Sequence, residues 1–96
     1  MKKEKEEHIK IKIAASLQKL LNSSDKAVLA LSYDKIASAC DMRKATVSDT
    51  FNAKTIPSSS TLILILDAMG NSISDFAKVY EAITDSEILA FKRGIL

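Results

Sequence analysis

Glycine and proline are almost absent from this chain, and their scarcity constrains the fold more than any other feature of the sequence. The 96 residues contain two glycines and one proline. Because β-rich folds need such residues at many chain reversals, we expect long helices joined by few tight turns. The length suits one domain with a single modest core, which the 47% of apolar residues can fill. The sequence therefore predicts an all-α protein over residues 1–96, a five- to six-helix bundle.

The first third of the chain begins charged and then becomes amphipathic. We interpret residues 1–8 as a charged, solvated N-terminal extension. The alternation IKIKI that follows also fits a strand, but the longer window and its Leu, Lys, Gln and Ala content favour a helix. The apolar residues predicted to share one face of this helix are Ile9, Ile13, Leu17, Leu20 and Leu21.

Two short helices are predicted in the middle of the chain. Ser32 is a suitable N-cap for a first helix from Tyr33 to Cys40. Asp41 and Met42 interrupt it, and a second helix runs over residues 44–52.

Capping signals predict three further helices after a loop over residues 53–60. One of the three serines at 58–60 caps a helix that Gly70 ends. The next two helices begin at residue pairs with the spacing of a capping box, Ser72 with Asp75 and Thr84 with Glu87. On the helix after Ser72, the positions predicted to point inward are Ile73, Phe76, Ala77, Tyr80 and Ile83.

The two central helices meet the physical requirements of a DNA-reading helix-turn-helix. Ala37 supplies a small residue where the helix backbones approach closely, and Asp41 stands where the turn needs a positive φ. Apolar plugs before and after the turn are Ile36, Met42 and Val47. The outer face of the second helix carries short or cationic side chains that can reach base edges, namely Lys44, Ala45, Thr46, Ser48 and Asp49.

Residues 33–76 resemble the phage-repressor (Xre/Cro-type) helix-turn-helix family. The matching elements fall in register without a gap and are Ile36-Ala37, Thr46-Val47-Ser48, Pro57-Ser58, Thr61-Leu62, Ala68-Met69-Gly70 and Ser72-Ile73. The resemblance implies a lambda-repressor-like DNA-binding domain, to which residues 84–96 add a C-terminal helical extension.

This resemblance implies sequence-specific binding of double-stranded DNA and regulation of transcription by a homodimer. The second helix of the motif would lie in the major groove. By matched position, the base-reading residues would be Lys44, Ala45, Thr46, Ser48 and Asp49. The phosphate-contacting residues would be Tyr33, Arg43, Asn52 and Lys54, and the core of the motif would be Ile36, Ala37, Asp41, Met42 and Val47.

Several positions depart from the family pattern. Arg43 replaces the usual small cap of the recognition helix, and Asp41 and Ala53 stand where glycine is frequent. Phe51 is expected to fill the space left by Thr50, which replaces a large apolar residue. Asp49 repels phosphates unless it accepts a hydrogen bond from cytosine N4. The alternative is therefore a helix-turn-helix scaffold that serves as a protein-interaction module or antitoxin-like partner without strong DNA binding.

Surplus apolar residues predict a homodimer interface. The candidates are Leu64, Ile88, Leu89 and Phe91, and Ile95 and Leu96 add to the same apolar surplus. The alternative is that these side chains pack back on their own chain.

The remaining features of the sequence argue against other classes of protein. Cys40 is the one cysteine, which excludes an internal disulfide and a cysteine-rich zinc site, and we expect a small core residue there. No metal spacing, glycine-rich phosphate loop or nucleophile–base pair is present, so we expect neither an enzyme nor a cofactor. Apolar runs such as LILIL are too short to span a membrane, and the N-terminus lacks a signal core. We expect a cytoplasmic protein of bacterial, phage or mobile-element origin.

Overall fold

A computed structural model describes residues 2–23 and 33–94, and these ranges form six α-helices without a strand. The helices are α1 (Lys2–Ser23), α2 (Tyr33–Ala39), α3 (Lys44–Phe51), α4 (Ser59–Ala68), α5 (Ile73–Ala82) and α6 (Asp85–Lys92). The all-α prediction is confirmed. The predicted cap Ser32 and the residues Ile95 and Leu96 lie outside the described ranges.

The long helix α1 is the element on which the rest of the chain packs. It contacts α3, α5 and α6. Ile13 and Leu17 enter a main core cluster, whereas Ile11 and Ala15 point to a second cluster beneath α6. The predicted single apolar face was therefore wrong in part, because Ile11 is buried and Ile9 is exposed. The IKIKI alternation arises from a helix that is buried on more than one side.

The main core cluster joins α1 to the four helices α2 to α5. Its fully buried large side chains include Leu17, Ile36, Val47, Phe51, Ile65 and Leu66. Two buried hydroxyls lie among them, and each donates to a carbonyl one turn earlier on its own helix: Ser16 to Lys12 at 2.6 Å and Thr50 to Thr46 at 2.9 Å. These bonds remove the cost of burying a polar group.

The capping predictions are confirmed in the described residues. Ser58, among the three candidate serines, caps α4 by accepting from the Thr61 amide at 3.2 Å. Ser72 with Asp75 and Thr84 with Glu87 form complete capping boxes at the starts of α5 and α6. Gly70 and Gly94 both have a positive φ after the ends of α4 and α6.

The inward face predicted for α5 is partly wrong. Phe76 and Ile83 are buried, and Tyr80 is half-buried beside the main core. Ile73 and Ala77 are exposed instead. α5 packs on α1 and α4. Ile73 and Ala77 line a groove between these helices that leaves both residues exposed.

α6 closes the second cluster against α1. Ile88 is buried there with Ile11, Ala15 and Ile83, and Phe91 packs half-buried at its edge. Ile88 therefore packs on its own chain, which is the alternative that the sequence left open for this residue. Leu64 and Leu89, by contrast, are 44% and 48% exposed. An ion pair between Lys19 and Glu87 also joins α1 to α6.

In the described ranges, no helix combines the length and the apolar content that crossing a bilayer requires.

The backbone at Asp41 predicts opposite effects of two substitutions there. Asp41 is exposed and has a φ of 53°, a conformation that costs a residue with a Cβ roughly 1–2 kcal/mol. We expect Asp41→Gly to raise the free energy of unfolding by up to about 1 kcal/mol, and Asp41→Ala to lower it by about 1 kcal/mol. Urea titrations of the two variants, which change the net charge equally, measure both effects. Equal effects of one sign would show that the turn adopts another conformation.

The ion pair at α6 predicts a pH-dependent contribution to stability. A hydrogen bond from the Lys19 side chain, followed by one from the Thr84 amide, holds the pKa of Glu87 below its usual range. The carboxylate therefore stabilises the fold above the pKa of an unfolded glutamate, and this contribution disappears as the pH falls through the folded pKa. Gln can occupy the same capping-box position, so Glu87→Gln removes the charge and retains the cap.

We expect Glu87→Gln to lower the free energy of unfolding by about 0.5 kcal/mol at neutral pH, the scale of a partly exposed pair. The difference from the parent protein should vanish in acid. Urea titrations across the acidic range measure it, with Glu81→Gln, at an exposed residue of α5, as the control for general charge effects. A deficit that persisted at all pH values would place the loss in the cap instead of the charge.

Candidate nucleic-acid interface

A tight turn joins α2 to α3 in the geometry that the sequence predicted. The amide of Met42 donates to the Ala37 carbonyl at 3.0 Å, and Asp41 has the positive φ of 53°. This is the Schellman arrangement that ends a helix, here with Asp in the usual place of Gly. Ile36 and Ala37 are buried before the turn, and Met42 packs half-buried on the main core after it.

α3 is fixed to the body of the protein by its inner side. Val47, Thr50 and Phe51 are buried there, so the prediction that Phe51 fills space near Thr50 is consistent with its complete burial. The amide of Gln18 in α1 donates to the Phe51 carbonyl at 2.7 Å, which also ties the end of α3 to the long helix. The position of α3 is therefore set by a packed core and by a hydrogen bond to a distant part of the same chain.

The outer side of α3 lies open to solvent. Lys44, Ala45 and Thr46 are exposed, and Ser48 and Asp49 are half-buried. None of these five predicted base-reading residues belongs to either core cluster.

Lys44 has an acidic neighbour on α2. Its Nζ lies 3.4 Å from the Asp34 carboxylate, with 61% of the lysine side chain and 69% of the aspartate side chain exposed. A pair this exposed contributes little to stability, on the order of 0–1 kcal/mol. It does place an anion beside the predicted base-reading cation, so any ligand of Lys44 competes with Asp34.

The four predicted phosphate-contacting residues have different surroundings. Tyr33 is half-buried, with its ring 4.9 Å from that of Phe51 between centroids, and burial raises the pKa of its hydroxyl. The hydroxyl therefore stays protonated at neutral pH and can donate to an anion. Arg43 and Lys54 are exposed. Asn52 is exposed too, but its side-chain amide already donates to the Ser48 carbonyl at 2.8 Å.

The start of α3 has no side-chain cap. Arg43 occupies the N-cap position with φ −74° and ψ 143°, and its side chain makes no capping hydrogen bond. The missing cap costs the helix about 1 kcal/mol, as its sequence predicts.

Cys40 lies beneath this unit and links α2 to α4. Its Sγ donates to the Leu64 carbonyl at 3.0 Å, and the side chain is buried in the main core. Burial raises the pKa of the thiol, and the nearby Asp67 carboxylate raises it further.

Two contributors to this surface carried no signal in the sequence. Gln18 is 33 positions from the carbonyl that it holds, and Asp34 looked like an ordinary first-turn acid. Residues 2–23 and 33–94 contain no group of three or more His, Cys, Asp or Glu side chains arranged as metal ligands.

Comparisons of the chain with models of protein families, with curated proteins and with solved structures found no match.

Proposed function

We propose that this protein is a sequence-specific DNA-binding regulator of transcription that places α3 in the major groove. One observation carries the proposal. α3 is held on its inner side by buried Val47, Thr50 and Phe51, and its outer side presents Lys44, Ala45 and Thr46 to solvent. The preceding turn has the positive φ that lets α2 lie across the backbone while α3 enters the groove.

The size and chemistry of the outer side of α3 suit this role. A helix with its side chains is about 10–12 Å wide, and the major groove is about 12 Å wide. Lys44 can donate to guanine O6 and N7, and Ala45 can contact a thymine methyl. The hydroxyl of Thr46 can pair with a donor or with an acceptor on a base edge. Asp49 accepts from cytosine N4 and disfavours other bases at that step.

The charge balance of this unit predicts modest affinity for one copy. Between residues 33 and 54 the cations are Lys35, Arg43, Lys44 and Lys54, and the anions are Asp34, Asp41 and Asp49. Because phosphate neutralisation supplies much of the affinity for DNA, tight binding would depend on two copies acting together.

A homodimer is part of the proposal and is supported by two exposed leucines. Leu64 on α4 and Leu89 on α6 retain nearly half of their accessible surface, which is unfavourable in water if nothing covers it. A dimer would read two half-sites about one helical turn apart, on the order of 34 Å. Such a regulator would act in the cytoplasm of a bacterium.

The second candidate is a protein-interaction module, and one observation favours it. An apolar groove of about 320 Å³ lies between α1, α4 and α5, with Glu81 at its edge. Its apolar lining is Ile13, Leu62, Ile73, Phe76, Ala77 and Tyr80. In this reading the helix-turn-helix is a scaffold, and the protein has no appreciable DNA affinity.

Lys44 and Asp34 supply a test of DNA binding. We expect a fluorescently labelled duplex to bind with an affinity that falls steeply with salt. Lys44→Ala should weaken binding about tenfold, because it removes a base-reading cation. Asp34→Asn should tighten binding by about two- to threefold, because it removes the anion that competes for Lys44.

Fluorescence anisotropy measures these affinities, with Lys78→Ala on α5 as the control for loss of one positive charge. An in-vitro selection from random duplexes then identifies the preferred site. Wild-type protein that binds neither random nor selected duplexes at low salt would leave the interaction module as the remaining candidate.

The exposed leucines supply a test of the dimer. We expect Leu64→Lys or Leu89→Lys to convert a dimer to a monomer, because a charge in an apolar interface stays desolvated. Size-exclusion chromatography with light scattering measures the mass. Ile56→Lys is the matched control, since Ile56 is equally exposed in the loop before α4. Point substitutions suit this test better than removal of α6, which would uncover Ile11 and Ala15. A wild-type monomer at micromolar concentration would contradict the dimer.

A further inference from the structure

We propose that the C-terminal end of α6 extends the DNA-contacting surface, with Lys92 and Arg93 binding backbone phosphates beyond the bases read by α3. This inference rests on the proposed function and adds a contact from outside the helix-turn-helix. The partner is the sugar–phosphate backbone of the same duplex.

The structure places the end of α6 beside the end of α3. Phe91 and Lys92 line one surface groove together with Asn52 and Ala53, the residues that directly follow α3. Asn52 is one of the predicted phosphate contacts. Lys92 is therefore a neighbour of the DNA-facing unit, although it is 40 positions further along the chain.

Packing fixes this neighbourhood. Ala53, in the turn after α3, packs against the second core cluster. Phe91, in the last turn of α6, packs against the same cluster. Upstream on α6, Ile88 is buried and Glu87 pairs with Lys19. The Cα of Lys92 therefore has a set position relative to α3, and only its flexible side chain has to adjust to a phosphate.

The charges at this end of the molecule favour an anion. Lys54, Lys92 and Arg93 are all exposed. Glu7, on the α1 wall of the same groove, is the opposing carboxylate, and no ion pair joins it to Lys92 in the described part of the chain. Lys92 and Arg93 also complement the negative end of the α6 dipole, but that role needs only their place in the last turn. Their charged ends remain available to a ligand.

Phosphate is the part of the duplex that these residues fit. Lysine is a flexible point charge without a fixed geometry, which suits backbone contacts and does not read bases. Phosphates follow one another at a rise of about 3.4 Å along each DNA strand. A DNA strand with one phosphate at Asn52 therefore presents further phosphates close to that contact. The contact would raise the affinity for any sequence and leave the choice of site to α3.

Two pairs of matched variants test the inference. Lys92→Ala is compared with Lys78→Ala, and Glu7→Gln is compared with Glu81→Gln. Within each pair the net charge changes equally, but Lys78 and Glu81 are exposed residues of α5, a helix that packs on α1 and α4. Anisotropy titrations of the full chain with one labelled duplex, repeated over a range of salt, give the affinity and its salt slope for each variant.

We expect Lys92→Ala to reduce the salt slope by about 1 and to weaken binding several-fold at low salt, roughly the loss of one phosphate contact. Glu7→Gln should tighten binding by about twofold, because it removes a repelling charge next to the backbone. Lys78→Ala and Glu81→Gln should leave the slope unchanged. The Glu7 variant adds affinity, so its result does not depend on how well the Lys92 variant folds.

Two outcomes would overturn the inference, and they are distinguishable. If wild type binds and Lys44→Ala weakens it, but each variant of a pair behaves like its control, only the α6 contact fails. If wild type shows no affinity for any duplex at low salt, the proposed function fails and the α6 contact fails with it.

Discussion

The burial of Phe51, the last residue of α3, is the contact on which the rest of the structure depends. Its side chain is completely enclosed, its ring lies against Tyr33 of α2, and its carbonyl accepts a hydrogen bond from Gln18 of α1. One residue at the end of α3 thus contacts both helices that frame it. Because the inner side of α3 is held in this way, the side chains of Lys44, Ala45 and Thr46 remain on the outside. A helix of eight residues would not be stable alone in water, so its helical form also depends on this packing.

The signals that identified helix boundaries in the sequence are local, and the structure agrees with them. A capping serine or threonine and an acid three residues later bond to each other's backbone whatever lies elsewhere, which is why Ser72 and Thr84 marked the starts of α5 and α6. The turn at Asp41 is local in the same sense. Which side of a helix is buried depends on distant partners. Ile11 is buried because α6 packs over it. Ile73 is exposed because it lines the open groove between α1, α4 and α5. The burial of neither residue could therefore be assigned from periodicity.

The candidate site likewise combines features that local sequence spacing predicts with features that depend on tertiary packing. The identity and exposure of the outer residues of α3 follow from the spacing of its apolar residues, since Val47 and Phe51 at i and i+4 fix the inner side. The electrostatic setting does not follow from that spacing. Asp34 meets Lys44 across the turn, and Glu7 and Lys92 share a groove at the end of α3 although they stand near opposite ends of the chain. These are consequences of tertiary packing. They decide how strongly the surface attracts an anion.

The enclosed thiol of Cys40 has a consequence for the chemistry of the interior. Thiolate is the form that oxidants and alkylating reagents attack, and burial together with the Asp67 charge keeps this sulfur protonated. Its hydrogen bond to the Leu64 carbonyl holds it at the seam between α2 and α4. Oxidation or alkylation of the thiol therefore requires α2 and α4 to separate first. The rate at which the thiol is modified therefore reports how often α2 and α4 separate, and measuring it requires no label on the outer surface of the protein.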